Sequence, residues 1–205
     1  MVHPFPRRGL YAITPDCEDF ARLLTQVEAV LTGGAKAVQL RDKQRHLNQT
    51  QAAQLVKLCH AYQVPLIVND DLALAERIGA DGVHLGREDT DACQARNRLG
   101  PDAIVGVSCY ADLSRAVCAA QAGATYVAFG AFFSSATKPN ASPAPIELLS
   151  AAKKVLACPI VAIGGITPEN GACLLAAGAD LLAAISGVFG HPDPEQAARR
   201  YADLF

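Results

Sequence analysis

The stretch "GGAKAVQLRDK", residues 33–43, carries three structural signals in order. Paired glycines past a helical segment take the left-handed turn that ends a helix at little steric cost. The short apolar run that follows, with β-branched Val38, reads as a strand. The strand then ends in Gln39, Arg41, Asp42 and Lys43, a polar cluster on an otherwise apolar segment. The same restart signal recurs as "GADGV" (79–83), "AGATYV" (122–127) and "AGADLL" (177–182). Working outward from these points, strand-like runs at 9–14, 37–42, 65–70, 82–86, 104–108, 126–132, 159–165 and 181–186 alternate with helical periodicity. Helices are predicted over 19–33, 48–63, 72–79, 91–99, 112–122, from about Ile146, over 168–177 and over 194–203. Apolar runs without alternation suit strands covered on both faces, as in a parallel sheet flanked by helices. Strand–helix units repeated without a composition break predict an α/β fold, a (β/α)8 TIM barrel as a single domain over 1–205. An open doubly wound sheet is the structural alternative.

Composition narrows the function. The 205 residues are 51% hydrophobic and 19% charged, with a formal net charge of −2. That balance predicts no nucleic-acid partner and no membrane partner. No apolar run is long enough for a signal peptide or a membrane span, so a cytoplasmic location is expected. Seven cysteines without a C-x-x-C pair read as reduced, buried thiols rather than a zinc site.

Three constellations carry chemistry. On a strand, residues two apart share a face, so Gln39, Arg41 and Lys43 point one way while Val38 and Leu40 face the helices. At the top of a barrel strand, that face offers an amide and two cations to one anion. A solvated strand end pairing with local acids is the plain alternative. Asp70 in "VNDD" and Asp89 in "HLGRED" close successive strands, and hard oxygen ligands beside a cation cluster suit Mg²⁺ shared with a phosphate. The alternative makes them helix caps, the role expected for Asp71 and Asp91. "AIGGITPEN" (162–170) and "AISGVFG" (184–190) follow the last two strands, where glycines and a helix starting at Pro168 offer backbone N–H groups to a phosphate. Tight turns without a ligand remain the other reading. Two anion sites on one mouth argue for a reaction that joins two phosphorylated ligands. Lys138, in the long irregular stretch 132–145, is placed to reach the first site, and Ser108 to donate a hydrogen bond. His84 reads as a packed, hydrogen-bonded core histidine, and no nucleophile–base pair stands out.

Over residues 9–190 the chain resembles the thiamine-phosphate synthase family, through "LYAITPD", "VQLRDK", "LIVNDD", "GADGVHLG", "VGVS", "YVAFGAFFSSATKP", "IVAIGGIT" and "AAISGVF". The resemblance implies a barrel that condenses a hydroxymethylpyrimidine diphosphate with a thiazole monophosphate, releasing pyrophosphate. It implies that Gln39, Leu40, Arg41, Asp42 and Lys43, with Asn69, Ser108 and Lys138, hold the pyrimidine diphosphate. It implies one Mg²⁺ per subunit on Asp70 and Asp89, and a thiazole phosphate held by Ser135, Ala136, Thr137, Gly165, Ile185 and Ser186. Arg41, Lys43, Lys138 and Ser108 would serve catalysis. The expected partners are two small phosphorylated substrates, with the oligomeric state open and a homodimer among the options. Ala131 and "SSATK" depart from a family pattern that often reads proline and then "PTxTK". Arg87 and Tyr110 replace a common glutamine and histidine on the pyrimidine rim. A thiazole tautomerase-like isomerase and a non-catalytic phosphate-ligand sensor are the rival readings on the same scaffold.

Overall fold

A computed structural model describes residues 3–86, 92–134 and 143–205. Eight parallel strands close into a barrel in chain order: β1 (Gly9–Ile13), β2 (Ala37–Leu40), β3 (Leu66–Asn69), β4 (Gly82–Leu85), β5 (Ile104–Tyr110), β6 (Tyr126–Phe129), β7 (Ile160–Ile163) and β8 (Leu181–Ala184). β8 pairs back onto β1 through Leu181 with Gly9 and Ala183 with Tyr11, so the sheet has no open edge. The closed order excludes the doubly wound alternative.

The outer layer follows the predicted periodicity. It comprises α1 (Phe20–Thr32), α2 (Gln49–Ala61), α3 (Leu72–Ile78), α4 (Ala92–Leu99), α5 (Leu113–Gln121), α6 (Glu147–Val155), α7 (Pro168–Ala177) and α9 (Pro194–Ala202). Short polar residues start most of them: Asp19, Asn48, Asp71, Asp112 and Asp193 each accept a first-turn amide, leaving fewer orphan donors. Asp71 is thus a cap, as expected. The restart glycines Gly34, Gly79, Gly123 and Gly178 take positive φ. Several strand ends differ from expectation: β5 runs on to Tyr110, and β6, β7 and β8 stop at Phe129, Ile163 and Ala184, short of the predicted 132, 165 and 186. One element was not expected: a short helix α8 (Ser186–Phe189) follows β8 where the strand was predicted to run on.

Strand alternation sorts side chains into two cores. Val38, Leu40, Val68, Val83 and Leu85 face the helices, while Tyr11, Ile67, Ile104, Tyr126, Val161 and Leu181 fill the barrel. Phe5, from the segment before β1, plugs the lower end; its ring stacks on Tyr126 at 4.0 Å and meets Tyr11 edge-on at 5.7 Å. Buried aromatic rings of this size each remove on the order of 150–250 Å² from water. The His3 amide holds that segment by donating to Asp81 at 2.8 Å. Gly106 makes room for Tyr126, because a Cβ there would lie 2.0 Å from its ring. With Phe5 filling its lower end, the described cavity lies at the C-terminal ends of the strands.

The cysteines correct one expectation. All seven are free, but only Cys59 and Cys109 are buried, while Cys93, Cys118 and Cys173 sit on outward helical positions. Burial pushes the Cys109 thiol up to about 12, so it stays protonated. Among the described residues, no helix is long and apolar enough to cross a membrane.

Candidate active site

A cavity occupies the open mouth, and the polar strand ends line one side of it. β2 sends Gln39, Arg41 and Lys43 into it, β3 sends Asn69 and Asp70, β4 sends His84, and β5 sends Ser108 and Tyr110. Regular pairing in β2 ends at Leu40, yet the alternation carries on to Lys43 because the turn is clamped from β1. Thr14 Oγ1 accepts the Arg41 amide at 2.9 Å and donates to the Arg41 carbonyl at 3.2 Å. Asp16 Oδ2 accepts from the Arg41 guanidinium at 2.7 Å, and Oδ1 accepts the Lys43 and Gln44 amides at 2.6 and 3.2 Å. Partial burial raises the Asp16 pKa, but the bonds from Arg41 and the two amides outweigh it, and its carboxyl sits below the usual range. It is ionised at neutral pH, pairs with the Arg41 guanidinium and anchors the backbone at Lys43.

Asp70 does not cap a helix. Its φ is 62°, its side chain accepts from Asn69 Nδ2 at 2.6 Å, and Lys43 Nζ lies 3.6 Å from its Oδ2. The left-handed backbone turns the carboxylate back over the cavity and leaves capping to Asp71. Beneath this charged rim lies a buried polar layer. Gln39 Nε2 donates to Tyr11 Oη at 2.9 Å, Tyr11 Oη and Tyr126 Oη are 2.7 Å apart, and His84 bridges Tyr126 and Ser108 at 2.8 Å each. Burial drives both phenol pKa values up, so the two tyrosines stay protonated. Behind the wall, Arg115 donates to the Ser108 and Gly86 carbonyls at 2.9 and 2.8 Å, tying the ends of β5 and β4 together.

The opposite side is backbone-rich, lined by Gly164, Gly165 and Ile166 after β7 and by Ile185, Ser186 and Gly187 after β8. Gly165 has φ 59°, and a Cβ there would lie 2.3 Å from the Ser134 carbonyl oxygen, so only glycine fits. Asn170 shapes the turn by accepting the Thr167 amide at 2.8 Å and donating to the Gly165 carbonyl at 3.0 Å. From α9, Tyr201 donates to the Ile166 carbonyl at 2.5 Å. Pro168 and Glu169 at the start of α7 do not line the cavity; the chain just before α7 and the start of α8 do.

The whole chain can now be set beside known proteins. The family model for thiamine monophosphate synthase matches residues 10–188. The chain is 53% identical to the thiamine-phosphate synthase of Azoarcus sp. (strain BH72) over 202 residues, covering 97% of each. It is 50% identical to that of Thioalkalivibrio sulfidiphilus over 201 residues, covering 97% of this chain and 95% of the other. This chain belongs to the thiamine monophosphate synthase family. A solved thiamine phosphate pyrophosphorylase from Pyrococcus furiosus superposes with a TM-score of 0.83 at 31% identity, covering 97% of this chain and 95% of that one. A 3-hexulose-6-phosphate synthase shares the fold, with a TM-score of 0.75 at 17% identity. As a member of this family the chain is an enzyme, a transferase of thiamine biosynthesis.

For this member of the thiamine monophosphate synthase family, the cavity gathers Gln39, Arg41, Lys43, Asn69, Asp70, Ser108, Gly165, Ile185 and Ser186. Leu40 packs in the outer core, and the Asp42 carboxylate accepts the His46 and Leu47 amides at 3.0 and 2.8 Å, so neither side chain lines the cavity. Asp89, Ser135, Ala136, Thr137 and Lys138 lie outside the described residues, as do Arg87 and Asp91. Among the described residues, no group of three or more His, Cys, Asp or Glu side chains could by itself hold a metal. Thr14, Asp16, Tyr11, Tyr126 and Arg115 carry geometry that the sequence reading did not assign.

Proposed function

We propose that this chain condenses 4-amino-2-methyl-5-hydroxymethylpyrimidine diphosphate with a thiazole monophosphate, giving thiamine phosphate and pyrophosphate. One observation carries the reading: the cation-rich strand ends and the glycine-rich wall border a single cavity. The diphosphate is assigned to Arg41 and Lys43, with Lys138, Asn69 and Ser108 completing its site. The thiazole phosphate is assigned to Gly165, Ile185 and Ser186, together with Ser135, Ala136 and Thr137.

The donor chemistry fits Mg²⁺. Asp70 offers a partly exposed carboxylate on the cavity side, with Lys43 Nζ 3.6 Å away. Mg²⁺ commonly takes one or two carboxylates, substrate phosphate oxygens and water, so Asp70 and Asp89 would hold one ion per subunit. When bound, the ion would offset charge on the diphosphate.

The electron-rich pyrimidine lets its methylene carbon bear positive charge while the C–O bond to diphosphate breaks. The bond's electron pair leaves with pyrophosphate, and the thiazole nitrogen lone pair then forms the new C–N bond. Arg41 and Lys43 stabilise the leaving anion, and the opposite wall holds the nucleophile in line. No covalent enzyme nucleophile is needed. The partners are the two small phosphorylated substrates, whose charge confines them to the compartment where they are made, here taken as the cytoplasm.

The test supplies both substrates with and without Mg²⁺ and follows thiamine phosphate. Synthesis is expected only with both substrates and metal, and Lys138→Ala should lower it sharply with circular dichroism unchanged. Turnover of the thiazole phosphate alone would indicate an isomerase, and binding without turnover a sensor; either result overturns the proposal.

A further inference from the structure

The polar layer below the charged rim is a continuous hydrogen-bonded chain: Gln39, Tyr11, Tyr126, His84 and Ser108. Its proton count restricts its direction. Each tyrosine and the serine bring one proton, and a neutral imidazole brings one. Gln39 Nε2 donates to Tyr11 Oη and cannot accept. The Tyr11 proton therefore goes to Tyr126, and the Tyr126 proton to His84 Nδ1. His84 then carries its proton on Nε2 and donates it to Ser108 Oγ, across 2.8 Å. Ser108 is left with its own proton turned to the cavity. In the reverse direction the Tyr11 proton would face an amide NH₂, and an imidazolium would force the same conflict.

We propose that Tyr11, Tyr126 and His84 are positioning residues: a chain oriented by the Gln39 amide fixes the Nε2–H form of His84 and keeps Ser108 as a donor toward the ligand. The proposal rests on the reading of Ser108 as part of the pyrimidine diphosphate site. Purely structural packing would not require one direction. If the Gln39 amide were turned over, Oε1 would take the Tyr11 proton, every bond would reverse, and Ser108 would spend its proton on His84. The ligand would then meet an acceptor instead of a donor, which an anion disfavours.

Two measurements decide it. Long-range ¹H–¹⁵N spectra of histidine-labelled protein at neutral pH, assigned with His84→Gln, should show His84 as the Nε2–H tautomer; an Nδ1–H tautomer or an imidazolium overturns the proposal. This readout needs no turnover, so it is separate from the assignment of the reaction. In kinetics, Tyr126→Phe and Ser108→Ala should each lower kcat/KM for the pyrimidine diphosphate about tenfold, the scale of one lost hydrogen bond to a charged ligand. The double variant should again lose about tenfold, with the KM for thiazole phosphate unchanged, because both changes remove the same contact. A multiplicative loss of about a hundredfold in the double variant would overturn the coupling. If Tyr126→Phe fails to fold, the wild-type spectrum alone decides.

Discussion

Asp16 is the sharpest place to test how the site is built, since it does not line the cavity yet holds the Arg41 guanidinium and the backbone at Lys43, both of which shape it. In Asp16→Ala three bonds vanish: the one to the Arg41 guanidinium at 2.7 Å and those to the Lys43 and Gln44 amides at 2.6 and 3.2 Å. Water can replace the carboxylate at this partly exposed position, so each amide bond contributes about 1 kcal/mol and the ion pair about 1 kcal/mol or less. The sum, about 2–3 kcal/mol, is an upper limit, because Thr14 still grips both the amide and the carbonyl of Arg41. Borne by the diphosphate subsite, it predicts a fall in kcat/KM for the pyrimidine substrate of about ten- to a hundredfold. The KM for thiazole phosphate should stay within about twofold, since that wall does not touch Asp16. Steady-state kinetics with each substrate varied in turn, alongside a thermal melt, gives the answer. The pH dependence has a definite sign. The folded-state pKa of Asp16 is depressed, so its contribution is complete above the ordinary carboxylate value and is lost as pH falls through the lowered one. The defect of the variant should therefore be constant from weakly acidic to neutral pH. A variant within twofold of wild type for the pyrimidine substrate would refute the argument that this carboxylate orders Arg41 and Lys43.

Three further outcomes follow from the same geometry. Asp70→Asn keeps shape and leaves the Asp71 cap intact, so turnover should fall by about a hundredfold or more while the melting temperature moves by about 2–4 °C or less; unchanged Mg²⁺ dependence would remove Asp70 from the metal site. Gly165→Ala puts a Cβ against the Ser134 carbonyl at a left-handed backbone position; it should raise the thiazole phosphate KM well above its effect on the pyrimidine KM, read in the same two-substrate assay. Tyr201→Phe strips the Ile166 carbonyl of a buried donor; a loss of about 1–3 kcal/mol in urea denaturation is expected, with no change in the tautomer of His84.

Much of this architecture was legible because the signals were local. A glycine that must adopt positive φ, an apolar run and an amphipathic run are each contained within a few residues, and their repetition implied closure. Gln39, Arg41 and Lys43 were legible for the same reason, since strand alternation is local and survives into the turn. What escaped depends on register between neighbouring strands. Thr14 and Asp16 meet Arg41 only because β1 lies beside β2 with Ile13 opposite Gln39. The polar end of "AITPD", next to a strand end already read as polar, was the available clue. Tyr11 and Tyr126 are 115 positions apart and read as ordinary apolar filling. Their hydroxyls acquire meaning only once the barrel brings them within 2.7 Å. The short α8 was hidden because a four-residue helix has too few positions to show a period.

The inward positions form a gradient with a physical logic. At the bottom, Phe5, Tyr11, Ile104 and Tyr126 fill the barrel with rings and aliphatic chains. In the middle come Gln39 and His84, 3% and 8% exposed, polar groups that a dry interior tolerates when their hydrogen bonds are met. At the mouth stand Arg41 and Lys43, whose side chains are 21% and 57% exposed. A cation at position 39 would pay several kcal/mol of desolvation with no acid described beside it. At the mouth the two cations keep contact with water and lie beside acids, Arg41 with Asp16 and Lys43 near Asp70, and a bound anion would add to that compensation. In the proposed site, a ligand carrying an uncharged ring and a diphosphate lies with its ring inward toward Gln39 and its diphosphate outward toward Arg41, Lys43 and Ser108. The proposed departure of pyrophosphate is then toward solvent, leaving the reactive methylene facing the opposite wall, where the second phosphorylated ligand is proposed to sit.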